Sequence, residues 1–204
     1  MENIKVIVFD LYNTLVEIKD NRNFFLDLYK SSLNGFNADI HSYFTYVLIK
    51  NKKDLFSEMP EEFSRLYKDK QENLISELES VVVYKEVNSV LEKLKQNYKL
   101  YLISNLAFPY AKPVYNLGLD SYFDEIIFSY ECGFLKPDTN IFKRVELASE
   151  FHSEDILMIG DSLKADIKGA KEIGWKSIQI NRKQAPLDNQ ISNLNQLKDF
   201  GIVI

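Results

Sequence analysis

The sequence predicts an α/β protein: a parallel sheet with helices on both faces, interrupted early by an all-helical insertion. Three observations predict it. Short β-rich runs stand at residues 4–9, 99–104, 125–129, 156–159 and 175–180. Helix-length patterns at 86–96, 110–117, 140–150 and 164–173 separate the later runs, and such alternation implies parallel pairing. The stretch 17–83 breaks the rhythm, with apolar residues recurring at helical spacing and no convincing strand.

The first run, Ile4-Lys5-Val6-Ile7-Val8-Phe9, ends on Asp10 and opens the segment Asp10-Leu11-Tyr12-Asn13-Thr14-Leu15. A carboxylate at the C-terminal end of a buried strand lies where open α/β sheets keep their active sites. The Thr14-Leu15 step lets a hydroxyl and free backbone N–H groups face the same point, which suits an anion beside a nucleophile. Val16 and Glu17 lead out to the insertion. Phe25, Leu28 and Tyr29, then Phe44, Val47 and Leu48, then Phe63, Leu66 and Tyr67 mark its helices, three or four in number. Val81-Val82-Val83 reads as the return linker.

The strand at 99–104 ends in Ser104-Asn105, a small hydroxyl able to donate to a phosphoryl-like oxygen without crowding it. Gly133-Phe134-Leu135-Lys136-Pro137-Asp138 precedes a helix. Lys136 can neutralise a charged nucleophile or a developing phosphoryl charge, and Pro137 suits a helix start. Ile156-Leu157-Met158-Ile159 runs into Gly160-Asp161, with Asp166 five residues on. Asp161 at a strand end and Asp166 a turn into the next helix can face one point. With Asp10 they form a hard, all-oxygen set of the kind Mg²⁺ prefers. Each element alone has a plainer reading: an ordinary strand end, a solvated loop lysine, aspartates capping a helix. Gly118, Gly160, Gly174 and Gly201 fall near element ends. Residues 193–204 read as a short helix and an apolar end that docks on the core.

At 204 residues the chain holds one domain, or one core with a sizeable insertion. Its 46% hydrophobic and 27% charged residues are ordinary for a globular protein. A net charge of −5 without a basic tract argues against a nucleic-acid partner; Lys50, Lys52 and Lys53 are interleaved with Asp54 and Glu58 as a solvated face. The single cysteine, Cys132, excludes an internal disulfide and any multi-cysteine metal site. Met1-Glu2-Asn3 shows no secretory signal, and no apolar run approaches the roughly 18 to 20 residues that span a bilayer. The expectation is a cytoplasmic protein without a membrane partner.

In this order, the segments around Asp10, Ser104, Lys136 and 160–166 together resemble the motifs of the haloacid dehalogenase superfamily of hydrolases. The resemblance covers 1–16 and 84–204 as the core; the insertion, 17–83, is similar to that family's helical cap in placement, not in any motif. It implies a Rossmann-like three-layer core with about five parallel strands. It further implies that Asp10 attacks a small phosphorylated metabolite and forms an aspartyl-phosphate, which water then hydrolyses. By the same resemblance Thr14, Ser104 and Lys136 hold the phosphoryl oxygens and charge, and Asn105 extends that cradle. Mg²⁺ would be held by Asp10, the Tyr12 backbone carbonyl and Asp161, with Asp166 binding directly, through water, or by orienting Lys136. The family contains both monomers and homodimers.

The chain departs from the pattern at Tyr12. Family phosphatases usually carry an aspartate there, which protonates the leaving group and later activates water. A phenol with an ordinary pKa near 10 is a poor general base at neutral pH, and losing general acid–base help costs about 10²- to 10⁴-fold in rate. Good leaving groups, such as acyl or aryl phosphates, are therefore favoured. Tyrosine at this place also resembles the metal-independent 2-haloacid dehalogenase branch. Against that branch stand the retained Gly160-Asp161, Phe142 where it has a tyrosine six residues after the lysine, and Arg22 as an unmarked lone arginine near the insertion's start. A third reading is a catalytically impaired protein that binds a phospho-ligand. The insertion's aromatics read mainly as packing, a few of them as pocket lining. His41 and His152 lie outside every motif, and Trp175 reads as packing.

Overall fold

A computed structural model describes residues 3–185, 187 and 190–204. Met1 and Glu2, on which the reading of the N-terminus partly rests, lie outside them. The central strand β1 (Val6–Phe9) is buried at every residue. Ile7 and Phe9 join one hydrophobic cluster, and Val6 and Val8 join the other. A strand covered on both faces has no side for polar residues, so it reads as a continuous apolar run.

β2 (Val16–Ile18) leads to five helices: α1 (Phe24–Ser31), α2 (Ile40–Ile49), α3 (Lys52–Glu58), α4 (Glu61–Asp69) and α5 (Gln71–Glu79). The chain returns through β3 (Val81–Val83) to α6 (Val87–Leu94), β4 (Lys99–Ser104), α7 (Lys112–Asn116), β5 (Glu125–Phe128), α8 (Ser129–Cys132) and α9 (Thr139–Ser149). It ends with β6 (Ile156–Gly160), α10 (Gly169–Glu172), β7 (Lys176–Ile180), β8 (Gln190–Ile191) and a final 3₁₀ helix, Leu194–Phe200.

Six strands form one parallel sheet in the order β5-β4-β1-β6-β7-β8. Helices α6 and α7 and the final 3₁₀ helix cover one face; α9 and α10 cover the other. This is the three-layer α/β class expected. The sixth strand, β8, is two residues long, too short to leave a periodic signal. Two expectations for the insertion need correction. It holds five helices where three or four were read, because Pro60 separates α3 from α4 and a non-helical turn at Lys70 separates α4 from α5. The two linkers are also strands: β2 and β3 pair antiparallel, Val16 opposite Val83 and Ile18 opposite Val81.

The inserted helices bury their own aromatic cluster, including Phe24, Phe25, Phe36, Tyr43 and Phe63. Ala107 of the core belongs to it, and Phe108 and Tyr110 pack against it. Many of these rings meet edge to face, as Phe24 does with Tyr67 at 5.1 Å, the favourable arrangement for ring quadrupoles.

At the other end, Arg182 and Glu86 form a buried ion pair. Arg182 also donates to the Thr14 carbonyl and lies 4.0 Å from the centre of the Tyr84 ring, while Glu86 accepts from the Leu194 N–H at 3.2 Å. The pair thus ties the C-terminal segment to α6 and to the loop after β1. Burial works against the Glu86 carboxylate, but its bonds with Arg182 hold its pKa below the usual carboxylate value. Glu86→Gln leaves a buried guanidinium unpaired and is expected to cost about 3 kcal/mol in urea denaturation at pH 7. Because the folded-state pKa is the lower one, this contribution is complete above the unfolded carboxyl value of roughly 4.5. It fades as pH falls through the folded value. The gap between variant and wild type should therefore shrink in acid.

Candidate active site

β1 sits where the sheet changes direction. The crossover from β1 to β4 carries α6 over one face, and that from β6 to β7 carries α10 over the other. The C-terminal ends of β1 and β6 therefore open a crevice that neither helix layer fills, the place where open sheets bind ligands. Asp10 follows β1, Asp161 follows β6 and Ser104 ends β4, so three adjacent strands deliver them to one rim. The Asp10 N–H donates to the Ile159 carbonyl at 3.0 Å and fixes the rim's register.

Lys136 organises the centre. Its ammonium donates to Asp10 Oδ1 at 2.7 Å, to Asp166 Oδ1 at 2.6 Å and to the Ile103 carbonyl at 2.8 Å. Its side chain is 2% exposed, and that of Asp166 is 1% exposed. Burial opposes the charge on Lys136, but the Asp10 and Asp166 carboxylates outweigh it and raise its pKa. Ser104 Oγ donates to the same Asp10 Oδ1 at 3.0 Å. Both donors thus converge on one carboxylate oxygen, Oδ1.

Asn105 locks the lysine loop to β4. Its amide donates to the Lys136 carbonyl and accepts from the Lys136 N–H, each at 2.8 Å. The sequence places Asn105 in a phosphate cradle; the structure commits it to this reciprocal clamp. Asp166 sits in a turn of π-helix, Leu163–Lys168, and its Oδ2 accepts from the Ser162 N–H at 2.9 Å. Gly160 makes room for it, since a Cβ there would lie 2.4 Å from the Asp166 carboxyl carbon.

Asp10, Tyr12, Ser104, Asn105, Lys136, Asp161 and Asp166 line one cavity of about 190 Å³. Thr14 does not line it. It is fully buried, and its Oγ1 has no hydrogen-bond partner among the described residues. Tyr12 lines the cavity but spends its hydroxyl hydrogen on the Tyr110 carbonyl at 2.9 Å. Burial, with the nearby charges of Glu77 and Asp10, pushes that phenol's pKa above its usual value, so the side chain is a poor proton donor and a poorer base. Sequence reasoning missed Asn13, which adopts a left-handed φ of 60°, lines the cavity and favours the charged form of Asp161. It also missed Gln179, whose amide donates to the Asp161 carbonyl at 2.9 Å. Asparagine is among the few non-glycine residues that tolerate this backbone region, and that was the available signal for Asn13.

One oxygen each of Asp10, Asp161 and Asp166 lie within 4.8 Å of one another. Fully ionised, three carboxylates against one ammonium leave an excess of about two negative charges, which a divalent cation balances. Burial, opposed by Lys136 and reinforced by Asp166, raises the Asp10 pKa to about 7. Burial and Asp166 raise that of Asp161. The cluster is short of positive charge, and an all-oxygen donor set fits a hard divalent ion.

Comparison with known proteins matches residues 4–174 to a haloacid dehalogenase-like hydrolase family model. The putative HAD-hydrolase YfnB of Bacillus subtilis is 34% identical over 99 residues, which span 48% of this chain and 42% of that protein's length. The glyceraldehyde 3-phosphate phosphatase of Pyrococcus abyssi is 30% identical over 196 residues, spanning 86% of this chain and 80% of its own. The solved structure of YfnB bound to magnesium superposes with a TM-score of 0.68 at 22% identity, over 98% of this chain and 99% of that one. At that identity the superposition speaks for the shared fold.

The close approach of Gly160 to Asp166 gives a direct test of the packing around Lys136. Gly160→Ala is expected to displace the Asp166 carboxyl and lower stability by about 1–3 kcal/mol, read by chemical denaturation. Wild-type stability in this variant would mean that Asp166 is not held as described.

Proposed function

The chain belongs to the haloacid dehalogenase-like hydrolases, and on that premise we propose that it hydrolyses small phosphate esters or anhydrides through an aspartyl-phosphate on Asp10. The observation that carries this reading is the buried Lys136 ammonium held between Asp10 and Asp166. A cation fixed against one carboxylate oxygen suits attack by the other on a phosphoryl group, whose transferring oxygens carry negative charge.

In this reading Asp10, the Tyr12 carbonyl and Asp161 hold Mg²⁺, with Asp166 binding directly or by orienting Lys136. When bound, the ion supplies positive charge to the phosphoryl oxygens and lets two anions meet. Asp10 Oδ2 forms the bond to phosphorus while the ester or anhydride oxygen departs with its electron pair. Ser104 and Lys136 keep Oδ1 in place and hold the attacking oxygen toward the substrate. The Lys136 ammonium offsets the phosphoryl charge, while the Asn13, Thr14 and Leu15 N–H groups are spent on bonds within the loop. Water then attacks phosphorus, the phosphorus–Asp10 oxygen bond breaks with its electrons returning to the carboxylate, and the water's proton leaves with the phosphate or to solvent. No side chain at position 12 gives the leaving group a proton, because the Tyr12 hydrogen is engaged by the Tyr110 carbonyl. Leaving groups that depart without a proton are therefore preferred. The organisation into a core, 1–16 and 84–204, and a cap, 17–83, is part of the same proposal, as is a small phosphorylated metabolite as substrate.

The test is phosphate release from acetyl phosphate and p-nitrophenyl phosphate with Mg²⁺ and with EDTA. Mg²⁺-dependent turnover that vanishes in Asp10→Asn is expected; undiminished turnover in that variant would reject the mechanism. Tyr12→Asp restores a proton donor beside the leaving oxygen and is expected to raise activity on an alkyl phosphate by about 10- to 100-fold. Mg²⁺ at about 100 times its Kd is expected to stabilise the fold by about 2.7 kcal/mol, visible as a higher melting temperature. Asp161→Asn should abolish most of that rise. Chloride release from 2-chloropropionate in EDTA would favour the dehalogenase chemistry instead.

A further inference from the structure

A second cavity, of about 280 Å³, adjoins the one over Asp10 and shares Tyr12 and Asn105 with it. A phosphoryl group facing Asp10 would project its organic part there. Phe25, Phe44, Val47 and Leu48 wall it from the inserted helices, and Leu106 and Tyr110 wall it from the core. No lysine, arginine or histidine is among its described lining residues. The one charged side chain is Glu77 of α5, which is 1% exposed. The Phe24 N–H donates to that carboxylate at 3.2 Å; burial raises its pKa, opposed by the nearby Phe24 and Arg22 backbone and the Tyr110 hydroxyl.

A second anion brought into this space would lose its water, meet a fixed carboxylate and find no cation. Both costs act against the ground state and the transition state alike. A hydroxyl or ammonium, in contrast, would find an acceptor in Glu77, and a ring or short chain would find apolar walls. Resting on the phosphatase reading above, we infer that Glu77 is a specificity residue: the cavity selects phosphate compounds whose organic part is apolar, bears a hydrogen-bond donor and carries no anionic group. The rival account is that Glu77 only anchors the start of α1.

The experiment compares four phenyl phosphates with para-methyl, para-hydroxymethyl, para-aminomethyl and para-carboxylate substituents, whose phenols are similar leaving groups. With Mg²⁺ and the wild-type protein, kcat/KM for the carboxylate compound is expected to fall about 10- to 100-fold below that of the methyl compound, chiefly through KM. The hydroxymethyl and aminomethyl compounds should match or exceed the methyl one. Glu77→Gln keeps an acceptor for the Phe24 N–H, and it should narrow the carboxylate penalty and remove any advantage of the ammonium. A purely structural role would leave those ratios unchanged. Equal turnover of the carboxylate and methyl compounds by the wild type overturns the inference while leaving the phosphatase reading intact, and this comparison needs no variant to fold. Unchanged ratios in a folded Glu77→Gln also overturn it. Release of no phosphate from any of the four overturns the phosphatase reading and the inference together.

Discussion

The ammonium of Lys136, buried between Asp10 and Asp166, is the constraint on which the rest of the molecule turns. An isolated charge at that depth would cost several kcal/mol, and removing one partner of such a pair leaves the other uncompensated. Every neighbouring feature serves to hold the geometry. Asn105 clamps the loop that carries Lys136, the π-turn with the Ser162 N–H aims Asp166, and Gly160 leaves space for its carboxyl. The sheet supplies the frame, since β1, β4 and β6 are adjacent and in register. A lysine on a flexible stem becomes a positioned charge because its three donors meet three fixed acceptors.

The inserted helices answer a different requirement. They bury an aromatic cluster that includes Phe25, Tyr43 and Phe63, and from it Phe25 also lines the cavity that adjoins the one over Asp10. Tyr12 ties the site to the core segment that packs against the insertion's aromatic cluster. Its hydroxyl reaches the Tyr110 carbonyl, and its ring meets the Tyr110 ring edge-on at 6.0 Å. The residue that departs from the phosphatase pattern is thus also a piece of the pocket wall, which links proton chemistry at the site to the shape of the space beside it.

The legible parts of this protein are those in which a single residue type is demanded by location. Val6–Phe9 and Ile156–Gly160 are buried on both faces and so stand out as apolar runs; the acids that end them stand out against that background. Ser104 and Lys136 were legible only through their order relative to those acids, because a strand-end serine or a loop lysine alone carries no signal. Asn105 was visible but its partner was not, since a bond to a backbone 31 residues away leaves no trace in spacing. Glu77, between Ser76 and Leu78 on an amphipathic helix, looks like a solvent-facing residue; the packing of α5 against the start of α1 and the Tyr110 segment buries it. The β2–β3 ribbon escaped for a related reason: each strand is three residues long, and 62 residues lie between Ile18 and its partner Val81.

The measurement that bears most directly on the account is chemical trapping at Asp10. The protein is quenched during turnover of acetyl phosphate with Mg²⁺, reduced with borohydride and mapped by peptide mass spectrometry. Borohydride converts an acyl phosphate to an alcohol, so attack by Asp10 predicts a homoserine at that position and at no other aspartate. Phosphate release with Asp10 left unmodified and another residue reduced, or with no residue reduced under conditions that trap a known acyl phosphate, would contradict it.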